Sequence, residues 1–156
     1  MKKRLLLLCF VGVTAGLFAG EESAKTEDIN VTAEVIKPLN IETKTVDFGK
    51  VAQGTSHSRP KEEGELTITG EAGQNIRVQF AANGEQWKDN ISEAIVKLKQ
   101  NGKTGELTYT PALATNLNTN LQGGKTTSKI VGTLVVPQNA EVGAYKGNLK
   151  VKVYYN

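Results

Sequence analysis

The sequence predicts an all-β sandwich. Three observations lead there: short runs in which apolar and polar residues alternate, clusters of Gly, Asn, Pro and Ser between those runs, and the lack of any long segment with apolar residues at helical spacing. A closed barrel is the second architecture compatible with this pattern. A membrane-spanning barrel is disfavoured, because the strands carry Lys and Glu where lipid would require an unbroken apolar face.

The first twenty residues read as a signal peptide. Lys2, Lys3 and Arg4 precede an apolar run from Leu5 to Val13, and the small residues around Leu17-Phe18-Ala19-Gly20 offer cleavage after Ala19 or Gly20. The run is too short to span a bilayer. Cys9 lies inside it rather than behind small residues at its end, so lipidation is not expected. Cleavage removes three basic groups and leaves sixteen basic against sixteen acidic residues, so the net charge of +3 belongs to the signal. A mature chain without net charge or a basic block implies neither nucleic acid nor a membrane surface as a partner. The mature chain of 136 residues suits one domain. It retains no cysteine, so packing and strand pairing alone must hold it together.

Residues 21–28, EESAKTED, have no apolar face and are expected to form a mobile leader. Over residues 29–36 the pattern becomes strand-like: Ile29, Val31, Ala33 and Val35 share one face, with Asn30, Thr32 and Glu34 on the other. A strand so near a terminus frays unless it is tied down, so it needs a partner in its own domain or in another molecule. Pro38 then breaks the pattern, and the body of the sandwich is expected over residues 37–156.

Short strands are expected at LNIE and around Val46, Phe48 and Val51, followed by a loop, AQGTSHSRPKEEG, that ends at Gly64. ELTITG and NIRVQF alternate cleanly, and the turn residues between them predict a hairpin. The pattern around Trp87 is weak and allows a short helical turn. A two-residue Asn101-Gly102 turn predicts a second hairpin with Val96 opposite Leu107, Ala94 opposite Tyr109 and Lys97 opposite Glu106. Residues 111–126, rich in Asn, Thr and Gly, read as a long surface connection. SKIVGTLVVP and YKGNLKVKVYYN supply the remaining strands, the latter with Tyr145, Gly147, Leu149, Val151, Val153 and Tyr155 inward.

No catalytic constellation emerges, and the chain is not expected to be an enzyme. His57 stands between Ser56 and Ser58 on a loop without an orienting acid or an oxyanion site. No acidic loop has calcium-binding spacing, and no metal or other cofactor is expected. Asn30-Val31-Thr32 and Asn90-Ile91-Ser92 match the glycosylation triplet, but a bacterial-looking signal makes chance matches the better reading. Trp87, on an irregular stretch, is the one candidate ligand-binding residue, while Tyr109, Tyr145 and Tyr155 are better placed in or beside the core.

Two stretches carry a family resemblance. INVTAEVIKPLNIE resembles the opening of the major pilins of the class 5, or colonisation-factor, fimbriae. GTLVVPQNAEVGAYKGNLKVKVYYN resembles the closing strands of those pilins and of a broader bacterial secreted family of unknown function; in both, Gly143, Tyr145 and Gly147 stand where a Gly-x-Tyr-x-Gly element leads into the last strand. The early Phe-Gly strand of the second family is similar to VDFGKV.

The resemblance implies an immunoglobulin-like β-sandwich of about seven to nine short strands. In the fimbrial family the fold lacks one strand, which the N-terminal extension of the next subunit supplies. Carried over, the donor side chains are Ile29, Val31, Ala33 and Val35. The expected product is a secreted structural subunit of a surface fibre concerned with cell adhesion, self-associating into a homopolymer, with a periplasmic chaperone as a candidate partner. The alternative is a monomeric secreted or surface β-sandwich that binds a glycan or protein ligand, with residues 29–35 as an ordinary first strand.

Overall fold

A computed structural model describes residues 25–82 and 84–156. The expected signal peptide and the start of the expected leader lie outside the described residues. The chain divides between Glu34 and Val35 into two units. In the first, residues 25–34 form neither helix nor strand, and the side chains of Ile29 and Val31 are exposed. No strand or bridge is formed through Leu39, so among the described residues the alternating segment has no ladder partner.

The second unit is an all-β sandwich, as the alternation predicts. Its strands are β1 (Asn40–Lys44), β2 (Ser56–His57), β3 (Gly64–Thr69), β4 (Ile76–Ala82), β5 (Val96–Lys99), β6 (Glu106–Leu113), β7 (Lys125–Val135) and β8 (Leu149–Tyr155). One sheet has the order β1-β3-β7-β6-β5, with β2 also on β7. The other consists of β4 and β8. All these pairings are antiparallel. The apolar faces of β3, β4 and β8 meet in a core that includes Leu66, Ile68, Ile76, Phe80 and Ile130. A second cluster gathers Val96, Leu107, Tyr109 and Leu134, and the Phe48 ring meets Tyr109 edge-on at 5.5 Å.

β7 is long enough to organise the larger sheet. Its first part, Lys125 to Ile130, pairs with β3, and its second part, Ile130 to Val135, pairs with β6. Gly132 sits opposite Pro111 at a φ of 134°, where a Cβ would run into the β6 backbone; only glycine lets the two strands approach this closely. On the outer face, Glu65 of β3 lies between Lys44 of β1 and Lys129 of β7, at 2.9 and 2.6 Å.

Four local expectations give way to tertiary pairing. β3 and β4 do not form a hairpin: β3 pairs with β1 and β7, while β4 crosses to the other sheet and pairs with β8. The turn residues of EAGQ reverse the chain, but across the sandwich rather than within a sheet. The Asn-Gly hairpin forms, shifted by two residues: Val96 faces Tyr109, Leu98 faces Leu107 and Lys99 faces Glu106. Gly102 takes a φ of 73° and the Lys103 N–H closes the turn on the Gln100 carbonyl at 3.2 Å, but Thr104 and Gly105 stay outside the ladder. The apolar residues keep their face, and the charge pair becomes Lys99–Glu106 at 2.9 Å. That lysine holds the Glu106 carboxyl below its ordinary value.

Residues 111–126 are more than a surface connection. β6 runs on to Leu113, and Leu121 is fully buried, held by hydrogen bonds between its backbone and that of Gln74 and Gly73. Within the expected loop before Gly64, β2 adds to β7, and Asp47 bridges Glu62, the only ladder contact of the VDFGKV stretch. The short helical turn falls just after Trp87, as a 3-10 turn at Ile91–Glu93 capped by the Asn90 side chain.

A candidate strand-acceptor groove

The smaller sheet is unfinished on one side. The flank of β4 away from β8 is covered, because Phe80 and Lys88 exchange backbone hydrogen bonds at 2.8 and 2.7 Å and the Ile76 N–H reaches the Thr119 carbonyl at 2.7 Å. β8 pairs with β4 alone, and β1 with β3 alone. No strand among the described residues lies on the remaining edge of either. The cost is visible in the core-facing residues. Ile76 and Phe80 of β4 are each 3% exposed, whereas their β8 partners Tyr155 and Val151 are only half-buried.

Between these two edges lies a cavity of about 330 Å³. One wall is the run Thr43 to Val46 with Phe48, the other Gly147 to Val151, and Leu66, Phe80, Tyr109 and Ile130 contribute core side chains to its floor. Gly147 is required in the second wall, since a Cβ there would lie 2.6 Å from Val96. The groove is therefore a slot with an apolar floor and a rim that includes Thr43, Lys44, Thr45 and Asn148, flanked by two strand edges that have no strand partner among the described residues. Chemically, unpaired strand edges beside a slot can pair with an extended peptide through main-chain hydrogen bonds, with alternate side chains entering the slot.

The charges beside the groove are of both signs, with Glu42 and Asp47 next to its β1 wall. Lys146 and Lys150 precede and flank its β8 wall, and Lys152 follows on the outer face. Tyr109 is the one buried titrating group beside the slot; burial pushes its phenol up to about 12, and its hydroxyl donates to the Val131 carbonyl at 2.6 Å. It acts as a fixed, neutral piece of core.

The residues singled out from the sequence occupy separate places. Ile29, Val31 and Ala33 belong to the first unit, and Val35, 96% exposed, begins the second. Trp87 lies on the outer face of the smaller sheet, 39% exposed, with the Lys152 ammonium 4.7 Å from its ring centroid and 5.7 Å from that of Tyr154. Beside it, Asp89 accepts from both Arg77 (3.0 and 2.7 Å) and Gln79 (2.9 Å), and these contacts hold its carboxyl below its ordinary value, so the stretch around Trp87 is pinned to β4. His57, which the sequence places on a loop, lies on β2 and bonds the Thr55 hydroxyl at 2.8 Å. Among the described residues no group of three or more His, Cys, Asp or Glu could hold a metal ion, and no helix is long and apolar enough to cross a membrane. The acceptor groove is the feature that sequence reasoning missed; its walls come from segments about a hundred residues apart, and neither has a local signature.

The sequence model of a family described as a domain of unknown function (DUF4402) matches residues 39–155. The match takes in both walls of the groove and begins after the exposed segment. No curated protein matches the chain.

Proposed function

The chain belongs to the DUF4402 family, and we propose that it is an exported structural subunit of a bacterial surface fibre, polymerised by donation of residues 29–35 of one copy to the groove of the next. The observation that carries this reading is the groove itself, a slot with an apolar floor between two strand edges that have no strand partner among the described residues. The same chain carries a segment with the complementary pattern: Ile29, Val31, Ala33 and Val35 alternate, and all are exposed. A strand laid between β1 and β8 hydrogen-bonds both edges and covers the half-buried face of β8. Residues 25–35 hold Glu27, Asp28 and Glu34 against Lys25, and the lysines beside the β8 wall are the complementary charges on that side of the groove. An exported chain with such a slot open is prone to edge-to-edge association, and a periplasmic chaperone that fills it before donation fits this chemistry. The reading assigns the chain no catalytic step and no cofactor.

The alternative, a monomer that binds a glycan or protein through Trp87, has weaker support, because Lys152 already sits over the Trp87 ring. A glycan array probed with the intact chain and with Trp87→Ala addresses it. The fibre reading is tested by sedimentation and negative-stain imaging of the purified chain, together with the stabilisation conferred by a synthetic peptide of residues 28–36. Head-to-tail oligomers, and a raised unfolding temperature with the peptide, are expected. A chain that stays monomeric and ignores the peptide would falsify the donor-strand reading.

A further inference from the structure

The groove has an open end and a tied end. β1 runs away from the tied end and β8 runs towards it, and there the Tyr155 hydroxyl donates to the Lys37 carbonyl at 2.7 Å and accepts from the Glu71 N–H at 2.7 Å. The Glu71 carboxylate accepts from the Lys37 N–H at 3.1 Å. Three hydrogen bonds thus close a ring between segments 118, 84 and 34 positions apart, so turn geometry does not impose it. Gly70 makes room for it: a Cβ there would lie 2.5 Å from the Tyr155 hydroxyl and 2.9 Å from Leu39. Leu39 and Tyr155 both pack on the core below.

The cavity and the segment proposed to fill it differ in length. Along the approach to β8 and its first residues the cavity extends from Gly147 to Val151, with inward positions at Gly147, Leu149 and Val151. At about 3.3 Å per residue that is roughly 16 Å of strand, whereas residues 29–35 span roughly 23 Å and carry four inward side chains. Seating the fourth extends the slot to Val153, two positions before Tyr155, where the walls are joined.

We propose that the contact of Tyr155 and Glu71 with Lys37 is a latch that keeps the groove short in the free subunit and opens when a neighbour's strand docks in full; this rests on the donor-strand reading above. Three side chains enter the preformed slot from its open end. The fourth replaces the latch, exchanging its hydrogen bonds for ladder bonds along β8.

The test uses the full chain with Val31→Asp and Val35→Asp as an acceptor whose own strand is disabled, and synthetic peptides of residues 28–36 and 31–36 as probes. Hydrogen exchange at the Glu71 amide reads the latch directly: it is protected in the free acceptor and exchanges at least tenfold faster with the longer peptide bound. Tyr155→Phe, which keeps the ring and loses the hydroxyl, speeds association of the longer peptide roughly tenfold and leaves the shorter one unchanged, the scale set by losing two ordinary hydrogen bonds. Glu71→Ala, on a partly exposed residue, gives the same contrast should the tyrosine variant fold poorly. A Glu71 amide that stays protected in the complex, or variants that treat both peptides alike, overturns the latch while the donor reading stands. Binding of neither peptide overturns both.

Discussion

The two sheets enclose one core but are finished to different degrees. In the larger sheet β3 and β7 have neighbours on both sides, and their core-facing Leu66, Ile68 and Leu134 are 0%, 0% and 2% exposed. In the smaller sheet β8 presents an equally regular row, Leu149, Val151, Val153 and Tyr155, yet each is only half-buried. The residue types do not differ; the number of flanking strands does. Burial in a sandwich depends on lateral neighbours as well as on the facing sheet, so one missing neighbour exposes a whole row at once. The best-buried part of this molecule is therefore the β3-β7-β6 region, and the part without a lateral strand among the described residues is the β8 edge.

The largest effect is expected where the proposed partner supplies that neighbour. Val31→Asp with Val35→Asp places two carboxylates where apolar groove positions await, which weakens association by about a hundredfold or more, because an unpaired charge resists burial. Val31 and Val35 are 89% and 96% exposed in the single chain, so the unfolding free energy of the subunit changes by less than about 0.5 kcal/mol. Sedimentation and denaturant unfolding of the same preparation separate the two quantities. Oligomers that survive the double substitution would assign the groove to another occupant.

Next come two truncations that set the sheets against each other. Leu66→Ala, at a fully buried position between two paired strands, costs about 2–5 kcal/mol of unfolding free energy. Val151→Ala, on the open strand, costs about 1 kcal/mol in the free subunit, since a half-buried side chain has less to lose. The comparison sharpens when a peptide of residues 28–36 is present: the cost at Val151 rises towards about 2 kcal/mol as its exposed part is covered, and the cost at Leu66 stays where it was. Urea unfolding of each variant with and without peptide gives all four values. Equal costs at the two positions in the free subunit would remove the contrast between the sheets.

Much of the paired framework is legible from alternation, and little of the acceptor is. ELTITG, NIRVQF, SKIVGTLVVP and the last strand all form where the period of two places them, because side-chain alternation is a local property. Which strands pair is not local. The turn residues of EAGQ announce a reversal equally well whether the chain returns in its own sheet or crosses to the facing one, and here the β3 edges were already taken by β1 and β7. The Asn101-Gly102 turn fixes a reversal but not a register, since Thr104 and Gly105 add loop without disturbing which side chains face inward. Leu121, alone among Asn, Thr and Gly, shows no period and is nonetheless buried. The donor half of the proposed site lies in seven consecutive residues and is readable, while the groove and its latch join residues such as Thr43 with Leu149, and Lys37 with Tyr155, which only the folded chain brings together.

The smallest effect concerns how the finished sheet holds its own edge. Glu65 binds Lys129 and Lys44 across three strands, and these hydrogen bonds bring its carboxyl down to about 2 from an ordinary 4.5. A carboxyl with a lower value folded than unfolded contributes its full stabilisation above the unfolded value. As pH falls from about 4.5 to 2 the unfolded chain takes up the proton first, and the contribution is lost. Unfolding free energy in that window should therefore fall less steeply for Glu65→Gln than for the parent chain, with the two profiles parallel above pH 5, about half a unit beyond the unfolded value. The lysines are largely in water, which keeps the difference small. Asp89→Asn is the matching change on the open sheet, where the partner is Arg77. If Glu65→Gln leaves the acid slope unchanged while Asp89→Asn flattens it, the charged ladder does not secure β1, and the edge that borders the groove is held by backbone pairing to β3 alone.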